Sequence, residues 1–124
     1  MGRKVLVVED DVSIRQSLVE LLGDEGYDVV GAANGLEALS LLQQPGPPPA
    51  VIVLDVMMPV MDGRTFRQEQ LRNPRLADIP VIVLSAYRDV AGLASELRAT
   101  EVIRKPLRLV DLLNVVQRAC GASC

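Results

Sequence analysis

The sequence predicts an α/β domain, a five-stranded parallel sheet with helices on both faces. Three observations predict it. Short β-branched runs alternate five times with helix-periodic stretches, as βα units do. Two of the runs, VIVL at 51–54 and VIVL again at 81–84, are continuously apolar, which suits strands covered on both sides. At 124 residues, 49% of them apolar and 23% charged, the chain has the size and composition of one globular domain with its own core.

The elements follow in order. The first strand, KVLVV at 4–8, runs straight into Glu9, Asp10 and Asp11. Ser13 and Gln16 stand at capping-box spacing, so the first helix is expected to begin at Ser13. Ile14, Leu18, Leu21 and Leu22 form its buried stripe, and Gly26 suits the stop. A strand at 28–32 and a helix at 35–43 come next, ended by PGPPP at 45–49, a stiff connection too short to separate domains. The third strand, 51–54, leads to Asp55, and the third helix, 64–72, stops at Asn73-Pro74. The fourth strand, 81–84, precedes a helix over 88–98, and a fifth strand at 102–104 precedes Lys105-Pro106. The last helix, 107–119, carries a stripe at Leu109, Leu112, Leu113 and Val116. Right-handed crossovers wind such helices onto both faces of the sheet. The domain is expected over 1–119, with 120–124 a short tail whose Cys120 and Cys124 have no disulfide or metal framework to join.

Composition removes several classes of function. Histidine is absent, which excludes His-based acid–base catalysis and most zinc and copper sites. A net charge of −3 with no basic tract argues against direct contact with nucleic acid. No apolar run approaches the roughly 18 to 20 residues a membrane span needs. The stretch after Met1-Gly2-Arg3-Lys4 is too short for the apolar region of a signal peptide, so no membrane partner and a cytoplasmic location are expected. Neither G-x-G-x-x-G nor G-x-x-x-x-G-K occurs, so nucleotide binding has no support.

In parallel sheets of this kind the site lies at the carboxyl ends of the strands. There the first strand delivers Glu9, Asp10 and Asp11, the third Asp55, the fourth Ser85 and the fifth Lys105. A lone Asp, Ser or Lys after a strand is usually a turn or cap residue. Four strands delivering such groups to one rim is more than packing demands. Two carboxylates about 5 Å apart repel by roughly 3 kcal/mol at an effective dielectric near 20, and one lysine cannot neutralise them all. Carboxylates without His or a nearby Cys form a hard oxygen site suited to Mg²⁺ or Mn²⁺. With a cation in place, a carboxylate nucleophile, a lysine and a hydroxyl suit phosphoryl transfer, with an acyl phosphate as product.

These residues resemble the receiver domain of two-component response regulators. VLVVEDD, AANGLEAL, VIVLDVMMPVMDG, IPVIVLSAY and RKP all look like that family's motifs, in its order and over essentially the whole chain. The resemblance implies a (βα)5 flavodoxin-like fold. It also implies that Asp55 is phosphorylated from a phosphohistidine on a sensor histidine kinase or phosphotransfer protein. Glu9 and Asp10 match the acidic pair that helps hold Mg²⁺, with Asp55 and the backbone carbonyl of Met57 as further ligands. Ser85 matches the hydroxyl that turns toward the phosphoryl group, Lys105 the lysine that contacts it, and the Lys105-Pro106 bond is implied to be cis. Asp11 is then left over, facing solvent near a helix N-terminus. The implied chemistry stops at the protein's own phosphoryl transfer and autodephosphorylation, so an enzyme acting on other substrates is not expected. Met57, two residues after Asp55, is expected to obstruct hydrolytic water with Tyr87 adding cover, which Met57→Asn would reveal as faster dephosphorylation.

Two departures fall on the implied output surface. Val102 stands where the family has Tyr or Phe, so the usual aromatic switch is missing. Ser85 and Lys105 are 20 positions apart, slightly fewer than usual, and Arg98 replaces a common Gly, so the fourth helix is expected to be short or irregular. A competing reading is a pseudo-receiver that binds proteins without phosphorylation. A haloacid-dehalogenase-like phosphatase fits poorly, because its nucleophile follows the first strand in a D-x-D pattern. The cognate kinase, the output partner, and whether the domain stands alone or belongs to a larger regulator or kinase are not encoded legibly.

Overall fold

Side chains alternate between the two faces of a strand, so a continuously apolar run is stable only when both faces are covered. The computed structural model describes residues 3–58, 60–86 and 90–121. Tyr87, the expected start of the fourth helix at Arg88, and Cys124 lie outside them. Five strands, β1 (Lys4–Val8), β2 (Asp28–Ala32), β3 (Val51–Asp55), β4 (Val81–Ser85) and β5 (Glu101–Arg104), alternate with α1 (Val12–Asp24), α2 (Gly35–Leu42), α3 (Gly63–Arg72), α4 (Val90–Leu97) and α5 (Leu109–Gly121). All strand pairs are parallel, in the order β2-β1-β3-β4-β5. This is the doubly wound flavodoxin-like arrangement.

The alternation divides the core in two. Leu6, Val8, Ile52, Leu54, Val81 and Val83 pack with Ala38 and Leu42 of α2, Phe66 of α3, and Leu93 and Leu97 of α4. Val5, Val7, Val51, Val53, Ile82 and Leu84 pack on the opposite face with Leu18 and Leu22 of α1 and Leu112, Val116 and Ala119 of α5. Each VIVL run therefore feeds both layers.

Several boundaries differ from expectation. Asp11, not Ser13, caps α1: its backbone is extended and its side chain accepts the Ile14 N–H at 3.0 Å. A carboxylate at the cap takes a free helix donor and meets the positive end of the dipole. The helix thus starts one residue before Ser13, which lies inside its first turn. β3 and β4 each run one residue further, so Asp55 and Ser85 are the last strand residues. α5 continues to Gly121, and Cys120 is 3% exposed in the α1/α5 layer. Leu109 does not join the buried stripe: it is 48% exposed in the first turn of α5, and Val115 takes the extra core position.

Candidate functional site

Chain winding reverses between β1 and β3, since β2 lies on one side of β1 and β3, β4 and β5 lie on the other. Such a switch point opens a crevice at the carboxyl ends of the two strands. Glu9 follows β1 there and Asp55 closes β3, and both are buried, 0% and 3% exposed. Asp10, one residue on, is exposed. Carboxylate oxygens of Glu9, Asp10 and Asp55 lie within 4.8 Å of one another. Lys105, just after β5, brings Nζ to 3.1 Å from Glu9 Oε1 and 3.4 Å from Asp55 Oδ1. The Lys105-Pro106 bond is cis.

Asp55 Oδ1 also accepts the Met57 N–H at 3.3 Å, so one carboxylate oxygen is held from two sides. The Met57 side chain itself is 59% exposed. Ser85 is 1% exposed, and its carbonyl accepts the Lys105 N–H at 2.7 Å, tying the ends of β4 and β5 together. Val102 lies on β5, opposite Val83, half-buried against the layer beneath α2, α3 and α4. Glu9, Asp10, Asp55 and Lys105 therefore meet at one point, Ser85 and Met57 flank it, and Val102 lies two residues back from the end of β5, packed against the core. Asp11 is turned to the helix instead.

The charge balance suits a divalent cation. Fully ionised, the three carboxylates would exceed the one ammonium by two charges in a crevice partly closed to water, a balance only a cation or a proton can restore. Burial, and then the neighbouring Asp55 carboxylate, push the Glu9 pKa from 4.5 to about 8 against the opposing pull of Lys105. For Lys105, burial alone would lower the pKa, but its bonds and charge contacts with Glu9 and Asp55 outweigh it and raise the value. Glu9 Oε2 is buried with no hydrogen-bond partner among the described residues. A buried acceptor left so costs about 1–3 kcal/mol, more if charged, and a hard cation on the three carboxylates would satisfy it. The donor set thus fits Mg²⁺ or Mn²⁺.

Other residues of the site were not legible beforehand. Gly63, first residue of α3, abuts the strand end, where an added Cβ would stand 2.8 Å from the Asp55 carbonyl oxygen. Arg15 Nη1 donates to the Glu9 carbonyl at 2.8 Å. Further off, Arg67 and Gln70 are buried in α3, 6% and 0% exposed. Arg67 donates to the carbonyls of Leu97 and Arg98 and to Gln70 Oε1 at 2.8–2.9 Å. The available signal was spacing, for Gly63, Phe66, Arg67 and Gln70 follow the period of a buried helix face, but two polar residues masked it.

Residues 5–117 match the family described as the response regulator receiver domain. A probable transcriptional regulator, ycf27 of Cyanophora paradoxa, is 44% identical over 112 residues, 89% of this chain and 45% of that protein. The chain thus spans about half the length of the ycf27 relatives it matches. The chemotaxis response regulator CheY4 of Vibrio cholerae superposes with a TM-score of 0.85 at 34% identity, covering 96% of this chain and 99% of that one. The Mn(2+)-bound form of response regulator Rcp1 gives 0.75 at 33% identity, over 94% and 90% of the two chains. Among the described residues no helix is long and apolar enough to cross a membrane. With its sheet order, rim of carboxylates and lysine, and match over nearly its full length, this chain belongs to the response regulator receiver domain family of two-component systems.

Proposed function

We propose that Asp55 accepts a phosphoryl group from a phosphohistidine on a sensor histidine kinase or phosphotransfer protein, with Mg²⁺ or Mn²⁺ required, and that an output partner reads the altered surface. The observation that carries this is the fixed, buried carboxylate of Asp55 inside a cluster of acids with one lysine. An Asp55 oxygen forms the new bond to phosphorus as the phosphorus–nitrogen bond breaks, and the imidazole leaves. Glu9, Asp10, Asp55 and the Met57 carbonyl would hold the cation, which when bound neutralises charge on the transferred group. In this reading the Lys105 ammonium would contact the phosphoryl oxygens, and the Ser85 hydroxyl would donate to one of them. The Mn(2+)-bound relative supports the choice of cation. Because the shared segment is under half of the ycf27 regulators, the proposal stops at reception of the signal.

Adding the phosphate mimic beryllofluoride to the Mg²⁺-bound protein tests this. Chemical-shift changes at Asp55 and Ser85 are expected. Their absence would overturn the proposal in favour of a protein-binding module that works without phosphorylation, the reading that Val102, an aliphatic residue at the switch position, favours.

A further inference from the structure

Glu9 and Asp10, the first two of the three acids that follow β1, sit on a loop only three residues long, between Val8 and the start of α1. A loop this short aims its side chains through its backbone. One side is fixed by the sheet, since the Glu9 N–H donates to the Ala32 carbonyl of β2 at 3.0 Å. The other is fixed by Arg15, whose Nη1 donates to the Glu9 carbonyl at 2.8 Å and reaches the Asp10 carbonyl at 3.5 Å. The arginine stem passes over Gly31 of β2. An added Cβ there would lie 3.2 Å from both Arg15 Cγ and Cδ and 3.4 Å from Val19 Cγ2, so the strand lacks a side chain where the stem crosses.

We infer that Arg15 is a positioning residue for the divalent cation: by holding the carbonyls of Glu9 and Asp10 it sets the direction of their carboxylates, with Gly31 giving its stem room. The inference rests on the acidic cluster being the cation site proposed above. Its sign separates it from a charge effect. A guanidinium close to a dication repels it, so by Coulomb's law alone removing Arg15 would tighten cation binding. Removing a group that orients ligands from behind weakens binding instead, typically by about 10-fold or more.

Calorimetric titration of the full chain with Mg²⁺ tests this, comparing the unmodified protein with Arg15→Met, Arg15→Lys, Gly31→Ala and Asp10→Asn. Arg15→Met is expected to weaken Mg²⁺ binding roughly 10-fold, with a modest fall in metal-free melting temperature because the part-buried Glu9 carbonyl loses its donor. Arg15→Lys should recover part of the loss, since an ammonium can still donate to the Glu9 carbonyl. Gly31→Ala should weaken binding by less, by displacing the stem. Should Arg15→Met fail to fold, Arg15→Lys and Gly31→Ala carry the comparison. Equal or tighter binding in the Arg15 and Gly31 variants, while Asp10→Asn abolishes it, would overturn the inference and leave the cation site standing. No Mg²⁺ binding by the unmodified protein would overturn the site itself.

Discussion

The three acids after β1 have separate duties, set by where one short loop sends each side chain. Glu9 points into the buried crevice, Asp10 joins it from the exposed rim, and Asp11 turns back to cap α1. Substituting them should separate two measurements. Asp10→Asn is expected to abolish or strongly weaken Mg²⁺ binding with little loss of stability. Asp11→Ala is expected to cost about 1 kcal/mol of stability, the usual worth of a helix cap, with a small effect on Mg²⁺. Equal effects of both on Mg²⁺ would show that the duties are shared. Glu9 adds a pH dependence. Its pKa is about 8 in the fold against 4.5 as the ordinary value, so between those limits the metal-free folded protein holds a proton that the unfolded chain has released. Stability from this group is complete below about pH 4.5 and is lost as pH rises through about 8. Denaturant melts without metal should therefore show falling stability from pH 5.5 to 8.5 attributable to Glu9, and Glu9→Gln should flatten the fall. Mg²⁺ competes with that proton, so its stabilising effect should grow over the same range.

The end of α4 shows how a helix tolerates a poor terminus. Arg98 follows the helix with φ of +52°, the left-handed conformation that glycine usually supplies. Ala99 N–H bonds the Ala94 carbonyl at 3.1 Å and Arg98 N–H bonds that of Ser95 at 3.4 Å, the pair of bonds of a Schellman terminus. A side chain in this conformation costs roughly 1–2 kcal/mol. Arg67 offsets part of it by donating to the carbonyls of Leu97 and Arg98 from α3. The outer bridge from Arg64 Nε to Glu96 Oε2, 2.9 Å long, joins the same helices but is exposed and contributes little. In urea melts, Arg98→Gly should raise stability by up to about 1 kcal/mol, whereas Arg67→Leu should lower it by about 1–3 kcal/mol for each carbonyl left buried without a donor. A neutral outcome for Arg67→Leu would mean that water replaces the guanidinium. An irregular fourth helix was expected from Arg98 replacing a glycine. The residue that supports it was not, because a buried arginine bonding only carbonyls and an amide leaves no charge pattern in the sequence.

At the scale of the molecule, continuous apolar strands and amphipathic helices make the sheet and its two layers legible in the sequence. That Glu9, Asp10, Asp55 and Lys105 meet was legible for a related reason: topology puts these strand ends on one rim, so residue type and position suffice to gather them. Caps and carbonyl-bound arginines were not, since they depend on hydrogen bonds a residue or two in register. Asp11 and Ser13 are both good caps, and only the point at which the chain leaves β1 decides between them. The central claim is that this rim is a phospho-acceptor, and its most direct test is the intact mass of the protein after incubation with acetyl phosphate. The gain of one phosphoryl group is expected with Mg²⁺, to be lost on chelation and in Asp55→Asn. No gain with Mg²⁺, or an undiminished gain in Asp55→Asn, would contradict it.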